Sequence, residues 1–297
     1  CMMDRGERPP SDLLESTDES LEESLRLLDR WDGAADGRIR YAFAPRFAVS
    51  CTETLLRDVV AAAADHGVPI HTHASETEFE NEFTREHHGQ RNIAFLDDIG
   101  MTDVPSVFAH GVHVDEPECR TLADSRTAIC HCPSSNMKLA SGFANIPRYD
   151  QFGVDVSLGA DGAPCNNNLD AFIEMRLAAL IHKPTHGPEA MPAERVLKLA
   201  TIDGARALDI DDEVGSIAAG KNADLVVLDL ASDPATVPGG NLYSRIVYSA
   251  QKSNVSDVYA DGRRVVDGGR LVGIDREELL DEASAAHDRV AQRMKRR

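Results

Sequence analysis

Short apolar runs recur along the chain, and several of them stop at a histidine or an acid. Val68 to His73 follows the turn Asp65-His66-Gly67 and has the length of a buried strand, with His71 and His73 on one face. Ser106 to His110 repeats that pattern. Thr127 to Cys130 runs into His131-Cys132-Pro133, and Val154 to Gly159 ends at Ala160-Asp161-Gly162. Upstream, Ile39 to Phe43 has strand character and ends in Ala44-Pro45-Arg46-Phe47, while Cys1 to Asp4 resembles the tail of a strand.

Between these runs the spacing turns helical. Leu21, Leu25 and Leu28 mark an acidic helix that starts after Pro9-Pro10-Ser11-Asp12 and reaches Trp31. Thr52 caps a helix to about Asp65, and Glu78 to Ile99 is mostly helical and polar, with His87 and His88 on its solvated surface. Asp115-Glu116-Pro117-Glu118 opens another helix with acids in its first turn, where the macrodipole favours them. Asn166 to Asp170 leads into a helix over Ala171 to Ile181, and one more covers Pro192 to Ala207. Strands alternating with helices at intervals of roughly 25 to 35 residues predict a parallel sheet. Successive strands that finish in Arg, His or Asp predict a barrel with its site at one face.

Past Ala207 the pattern changes. Ala223 to Leu228 is a Val/Leu run flanked by the turns Gly215-Ser216-Ile217 and Gly220-Lys221. Arg245 to Ala250, Val255 to Ala260 and Arg263 to Val266 are expected as further short strands, with Asp261-Gly262 as a hairpin turn. The organisation expected is an α/β barrel unit over 1–208, a small β unit over 209–275 and a charged C-terminal helix within 276–297, whose last residues Met294-Lys295-Arg296-Arg297 suit a helix C-terminus.

Composition narrows the function class. No apolar run among the 297 residues approaches a membrane span, and the opening Cys-Met-Met-Asp-Arg is not a signal peptide. The net charge of -19, from 50 acids against 31 bases, disfavours nucleic acid and anionic membranes as partners. Such an acidic, Lys-poor surface suits a solvated shell adapted to high salt. Six cysteines, at 1, 51, 119, 130, 132 and 165, show no disulfide spacing and fit reduced thiols in a cytoplasm.

The candidate chemistry centres on Ile70-His71-Thr72-His73-Ala74-Ser75-Glu76-Thr77. A strand ending in His73, with Glu76 three residues on, offers an imidazole for a transition metal and a carboxylic acid that can carry protons. The competing reading is a satisfied core histidine and a helix-start carboxylate. Cys130 and Cys132 fall on one side of a strand without partner ligands, so packing accounts for them better than zinc does, and Cys165 fits loop structure better than a nucleophile.

Taken in order, the polar strand ends give His73 with Glu76, then His110, then Asp161. Together with Met3-Asp4, Pro45-Arg46-Phe47, Ala109-His110-Gly111, His131-Cys-Pro-Ser-Ser-Asn136, Gly159-Ala-Asp161-Gly162 and the segment Gly215 to Asp224, they carry a resemblance to the amidohydrolase superfamily. The branch it resembles holds guanine deaminase, methylthioadenosine/S-adenosylhomocysteine deaminase and the triazine hydrolases.

That resemblance implies a (β/α)8 barrel with a small β-sandwich domain. It also implies a metal-dependent aminohydrolase that removes an exocyclic amino group from a purine, purine nucleoside or related N-heterocycle. By resemblance, His73 is the fifth-strand metal ligand, and Asp161 is the eighth-strand ligand that also takes a proton from the nucleophilic water. Glu76 relays that proton to a ring nitrogen of the substrate. His110 polarises the hydroxide or, in some relatives, binds the metal. Arg46 and Phe47 stand where guanine deaminases contact the base. One divalent metal is implied, zinc first with iron as the alternative, and homodimers are common among relatives. Pro45-Arg46-Phe47 leans towards a guanine-like base, and Gly162 to Asp170 towards adenosine-type deaminases and triazine hydrolases.

One family feature is missing. The His-x-His of the first barrel strand has no counterpart, because His71-Thr72-His73 stands in the fifth-strand context and His71 is expected one layer below the metal. Only the end of strand 3 through strand 8 is expected, so the sequence predicts an incomplete barrel and a fragment of a longer enzyme. A chain in which the site stays half assembled is the competing expectation.

Overall fold

The computed structural model describes residues 1–6, 13–237 and 239–294. Two four-stranded sheets organise it. The first is parallel, with β1 (Ile70–Ala74), β2 (Ser106–His110), β3 (Thr127–His131) and β4 (Val156–Leu158) in sequential order. Single parallel bridges, Phe43 to Ile70 and Met2 to Pro45, continue it on the β1 side.

The expected Ile39–Phe43 strand is narrower than its composition suggests. Ile39 exchanges hydrogen bonds with residues 33 and 34 in the turn after the first helix, so sheet pairing begins only at Phe43. From there Phe43 N–H donates to the Pro69 carbonyl, while His71 and His73 donate to the carbonyls of Phe43 and Arg46. Pro45 has no N–H, which limits the ladder to isolated bridges.

Register decides which side chains face the helices. Thr72, Phe108, Ile129 and Val156 are aligned across β1 to β4, and each is at most 2% exposed. The next row, on the opposite face, is His73, Ala109, Cys130 and Ser157. The helix-facing row lies in a core shared with α1 (Thr17–Trp31), α2 (Glu53–His66), α4 (Asn92–Asp98), α5 (Glu116–Ala123), α7 (Ile146–Phe152) and α9 (Ala171–Leu180). Burial of Phe108 or Ile129 alone contributes about 1.5–3 kcal/mol. α3 (Glu78–His88), α6 (Pro133–Lys138) and α8 (Ala163–Asn166) also belong to this half.

Several helix limits follow the sequence closely. Thr52 caps α2 by accepting from Leu55 N–H, and Asp115 caps α5 with Glu118 closing a capping box. α1 starts at Thr17, with Ser16 and Glu19 forming its capping box; Pro9 to Asp12 lie outside the described residues.

Other limits depart from it. Glu78 to Ile99 is two helices, because Gly89 at φ 74° ends α3. His88 is not on a solvated surface: its ring stacks on Phe95 at 3.9 Å, and Nδ1 faces Glu53 at 3.4 Å. The expected Pro192–Ala207 helix is likewise two, Ala193–Leu199 and Ile202–Ala207, separated at Thr201.

The second sheet is an antiparallel meander of β5 (Leu225–Leu228), β6 (Val255–Ala260), β7 (Arg263–Asp267) and β8 (Arg270–Leu271). Asp261 and Gly262, at φ 50° and 71°, make the expected hairpin turn, and Gly268-Gly269 makes a second one that the sequence reading missed. No further sheet packs on this one among the described residues.

Arg245 to Ala250 is not a strand. It is a helix, Leu242–Ser244, capped by Asn241 and continuing as a π-helical turn through Ser249. Burial of Val247 in the core with α9 outweighs the strand preference of the Ile-Val-Tyr run. The C-terminal helix is Arg276–Met294, within which no residue is buried; residues 295–297 lie outside the described ones. No helix among the described residues is long and apolar enough to cross a membrane.

Candidate active site

The ends of β1, β2 and β4 carry three residues in the left-handed backbone region: Ser75 at φ 48°, His110 at 80° and Asp161 at 61°. L-residues seldom adopt this region, and such positions gather where function over-determines the backbone. At His110 the effect can be traced. His73 pairs with Ala109, so simple alternation would send the next side chain, His110, to the helix side. The positive φ breaks the alternation, and the two imidazoles stack with centroids 5.3 Å apart.

Each imidazole is oriented by its Nδ1–H. His73 donates to the Arg46 carbonyl at 2.6 Å, and His110 donates to Asn136 Oδ1 at 2.8 Å. Nε2 of each is then the atom left for a ligand or substrate, and His110 Nε2 stands 3.8 Å from Glu76 Oε2. Glu76 lies in the short link between β1 and α3. Its backbone N–H donates to the buried Glu80 carboxyl, and its Oε1 accepts the Ser141 hydroxyl at 2.9 Å. Asp161 accepts from the Ser135 hydroxyl through Oδ2 and from Gly162 N–H through Oδ1.

Burial holds the His73 pKa below its ordinary value, with the Arg46 carbonyl opposing, so the ring is neutral at pH 7. For Asp161, burial pushes the carboxyl pKa up. The Ser135 hydroxyl, the Gly162 amide and the neighbouring imidazoles of His110 and His73 together outweigh it and keep the group below the usual carboxylate range. A neutral imidazole with a free Nε2 and an ionised carboxylate match, in kind, the donors a zinc-class ion takes. Among the described residues, however, no three His, Cys, Asp or Glu side chains come together closely enough to hold a metal ion.

The predicted substrate contacts fall in the same cluster. The Arg46 guanidinium lies over the Phe47 ring at 5.2 Å, with Nη1 against Met3 Sδ, and Phe47 stands edge-on to His73 at 6.1 Å. His71 shares the face of His73, opposite Val107, and is exposed. Cys130 and Cys132 are free thiols packed against Gly159, where a Cβ would sit 2.4 Å from Cys130 Sγ.

Sequence reasoning gave no role to the residues that hold the site: Ser135 and Asn136, seen only as part of the His131 to Asn136 motif, and Ser141, Glu80 and Glu174. Buried Glu174 accepts from Ser134 N–H and Oγ–H and from Asn166 Nδ2, tying the loop after β3 to the loop after β4. Polar residues clustered straight after a strand that ends in His131 were the available signal, but their partners lie 26 to 65 positions away.

Behind the site, His131 is fully buried with no partner among the described residues for either ring nitrogen, and its ring centroid is 5.9 Å from that of His182, which is 2% exposed. Burial depresses both imidazole pKa values, to about 3 for His131 and about 4 for His182. It raises Glu80 to about 7. The unfolded chain therefore binds more protons at the two histidines as pH falls below 6.5, which costs stability. The folded chain binds more at Glu80 between about pH 7 and 4.5, which offsets one of them. The net expectation is a loss of about 1.4 kcal/mol of unfolding free energy per pH unit from 6.5 towards 4.5 from these three groups. Urea titrations across that range check it: Glu80→Gln steepens the fall and His131→Phe flattens it.

The sequence matches the amidohydrolase family over residues 1–265. It is 40% identical over 265 residues to the 5-methylthioadenosine/S-adenosylhomocysteine deaminase of Pelotomaculum thermopropionicum, covering 89% of this chain and 61% of that protein. It is 41% identical over 287 residues to the 5'-deoxyadenosine deaminase of Methanothermobacter thermautotrophicus, covering 96% of this chain and 66% of that protein. Among solved structures, an adenosine deaminase from Xanthomonas campestris with bound zinc superposes at a TM-score of 0.91 with 32% identity, covering 98% of this chain and 65% of that one. This chain thus spans about three fifths of the length of the curated relatives it matches.

Proposed function

The chain belongs to the amidohydrolase family, and on that premise we propose that it is a metal-dependent aminohydrolase that removes the exocyclic amino group of an adenosine-type nucleoside or a related N-heterocycle. The observation that carries the reading is the pairing of His73 and His110. Both have Nδ1 committed to an acceptor, and His110 Nε2 faces the carboxyl of Glu76.

His73 and Asp161 would hold one divalent ion, zinc before iron, with His110 beside it. Such an ion supplies hydroxide at neutral pH by lowering the pKa of water to about 7. The rest is the work of side chains. Asp161, held ionised by Ser135 and Gly162, accepts the proton of the attacking water. Glu76 gives its proton to the ring nitrogen next to the reacting carbon, takes up the remaining proton of the added hydroxyl and passes it to the departing amine, so the C–N bond breaks with release of ammonia, and the proton held by Asp161 then returns Glu76 to its acid form. His110, its Nδ1–H committed to Asn136, turns Nε2 towards the nucleophile and fixes its line of attack. Phe47 supplies an aromatic edge for a heterocycle, and Arg46 is a cation at the mouth.

The test is ammonia release by the 297-residue chain on methylthioadenosine, S-adenosylhomocysteine, 5'-deoxyadenosine, guanine and an aminotriazine. Release from the adenosine-type compounds ahead of the others is the expected result, and silence on all five removes the reading. The absence of a three-ligand cluster among the described residues favours a second reading, in which these residues form one part of a site completed by further ligands.

A further inference from the structure

Resting on the aminohydrolase reading, we propose that Ser141 is a positioning residue for Glu76: its hydroxyl fixes Oε1 of the carboxyl and leaves Oε2 as the atom that carries the proton.

The Ser141 hydroxyl donates to Glu76 Oε1 at 2.9 Å, from a residue only 7% exposed. A hydroxyl donates to a carboxyl oxygen that bears no proton, so the mobile proton is confined to Oε2. That is the oxygen facing His110 Nε2 at 3.8 Å. The backbone end of Glu76 is held as well, through its N–H to Glu80 Oε2 at 3.2 Å. Glu76 is therefore restrained at its backbone and at Oε1, with Oε2 left to carry the proton.

The loop that presents Ser141 is itself fixed. The backbone N–H groups of Ser141 and Gly142 both donate to the Asn136 carbonyl, and the Ser141 carbonyl accepts from His113 Nε2 at 2.8 Å. Gly142 has φ 124°, and a Cβ there would lie 2.9 Å from Val112 Cγ1, so the loop passes where no side chain fits. Asn136 also holds the His110 imidazole through its side-chain oxygen. One residue thus sets both the loop that aims the carboxyl and the imidazole that faces it.

The test combines kinetics with an activity-free measurement on the 297-residue chain. Ser141→Ala is expected to lower kcat for ammonia release by about 10- to 100-fold, as misplacement of a catalytic group does, with KM within roughly threefold. Ser141→Thr, which keeps the hydroxyl, is expected to recover most of that loss. In urea unfolding, Ser141→Ala, Glu76→Ala and the double variant form a cycle, and a non-additive double variant reports the contact without any turnover. Unchanged kcat in Ser141→Ala overturns the proposal, as does a Thr variant no better than Ala. If the wild-type chain releases no ammonia on any substrate, the aminohydrolase reading fails on its own, and the cycle decides the contact: coupling keeps Ser141 as the residue that fixes this carboxyl, and additivity removes it.

Discussion

A Glu76→Gln chain is expected to turn over about 100- to 10,000-fold more slowly, the range that a positioned proton carrier contributes. Gln has the shape of Glu and keeps an oxygen that can accept the Ser141 hydroxyl, so the restraint on the side chain survives. What it loses is the ability to take up and release a proton. The loss should therefore appear in kcat, with KM within a few-fold and the urea midpoint close to wild type. Steady-state ammonia release beside an unfolding titration measures both, and a variant retaining more than about a fifth of the wild-type kcat would show that another group moves the proton. Asp161 is the first to test in that event, since it is ionised and lies in the field of both imidazoles.

Metal content gives the second large effect. Purified wild-type chain is expected to carry close to one divalent metal ion, with His73→Ala and Asp161→Ala each losing it and His71→Ala keeping it. Loss of a residue that merely orients a ligand costs about 10- to 100-fold in metal affinity or activity, so removal of the ligand itself should empty the site at micromolar metal. Elemental analysis reads the stoichiometry and decides between zinc and iron. A wild-type chain without metal would favour the reading in which these residues are one part of a site completed by other ligands, and the aminohydrolase reading would not apply to this polypeptide alone. Retention by Asp161→Ala would instead leave that carboxylate as a proton acceptor only.

Short apolar runs bounded by turns located β1 to β4 to within two residues, because the strands are buried in a sheet packed against helices and their composition reflects that burial. The caps at Thr52 and Asp115 were legible for a local reason: the side chain and the amide it accepts from lie within three positions. Arg245 to Ala250 failed because its alternation answers to α9 and not to a neighbouring strand, which no window on its own sequence contains. His88 failed similarly, since a histidine in a polar helix gives no hint that Phe95 lies beneath it.

At the site, the types and order of His73, Glu76, His110 and Asp161 were visible, but the orientation of each was not. The turn of His110 out of strand alternation depends on one backbone dihedral, and the partners of Asp161 and Glu76 come from loops brought in by the fold. Ser135, Asn136 and Ser141 are ordinary polar residues in sequence, and only their partners give them a role.

The tether on His73 has a consequence for how such a site can change. Its acceptor is the main-chain carbonyl of residue 46, which every amino acid supplies. Replacing the Arg46 side chain leaves that carbonyl in place, so the mouth can be re-equipped for a different heterocycle while the imidazole keeps its tautomer and aim. His110 has no such latitude, because its acceptor is the Asn136 side chain and disappears with it. Diversification, natural or by library, should therefore run freely through position 46 and stop at position 136.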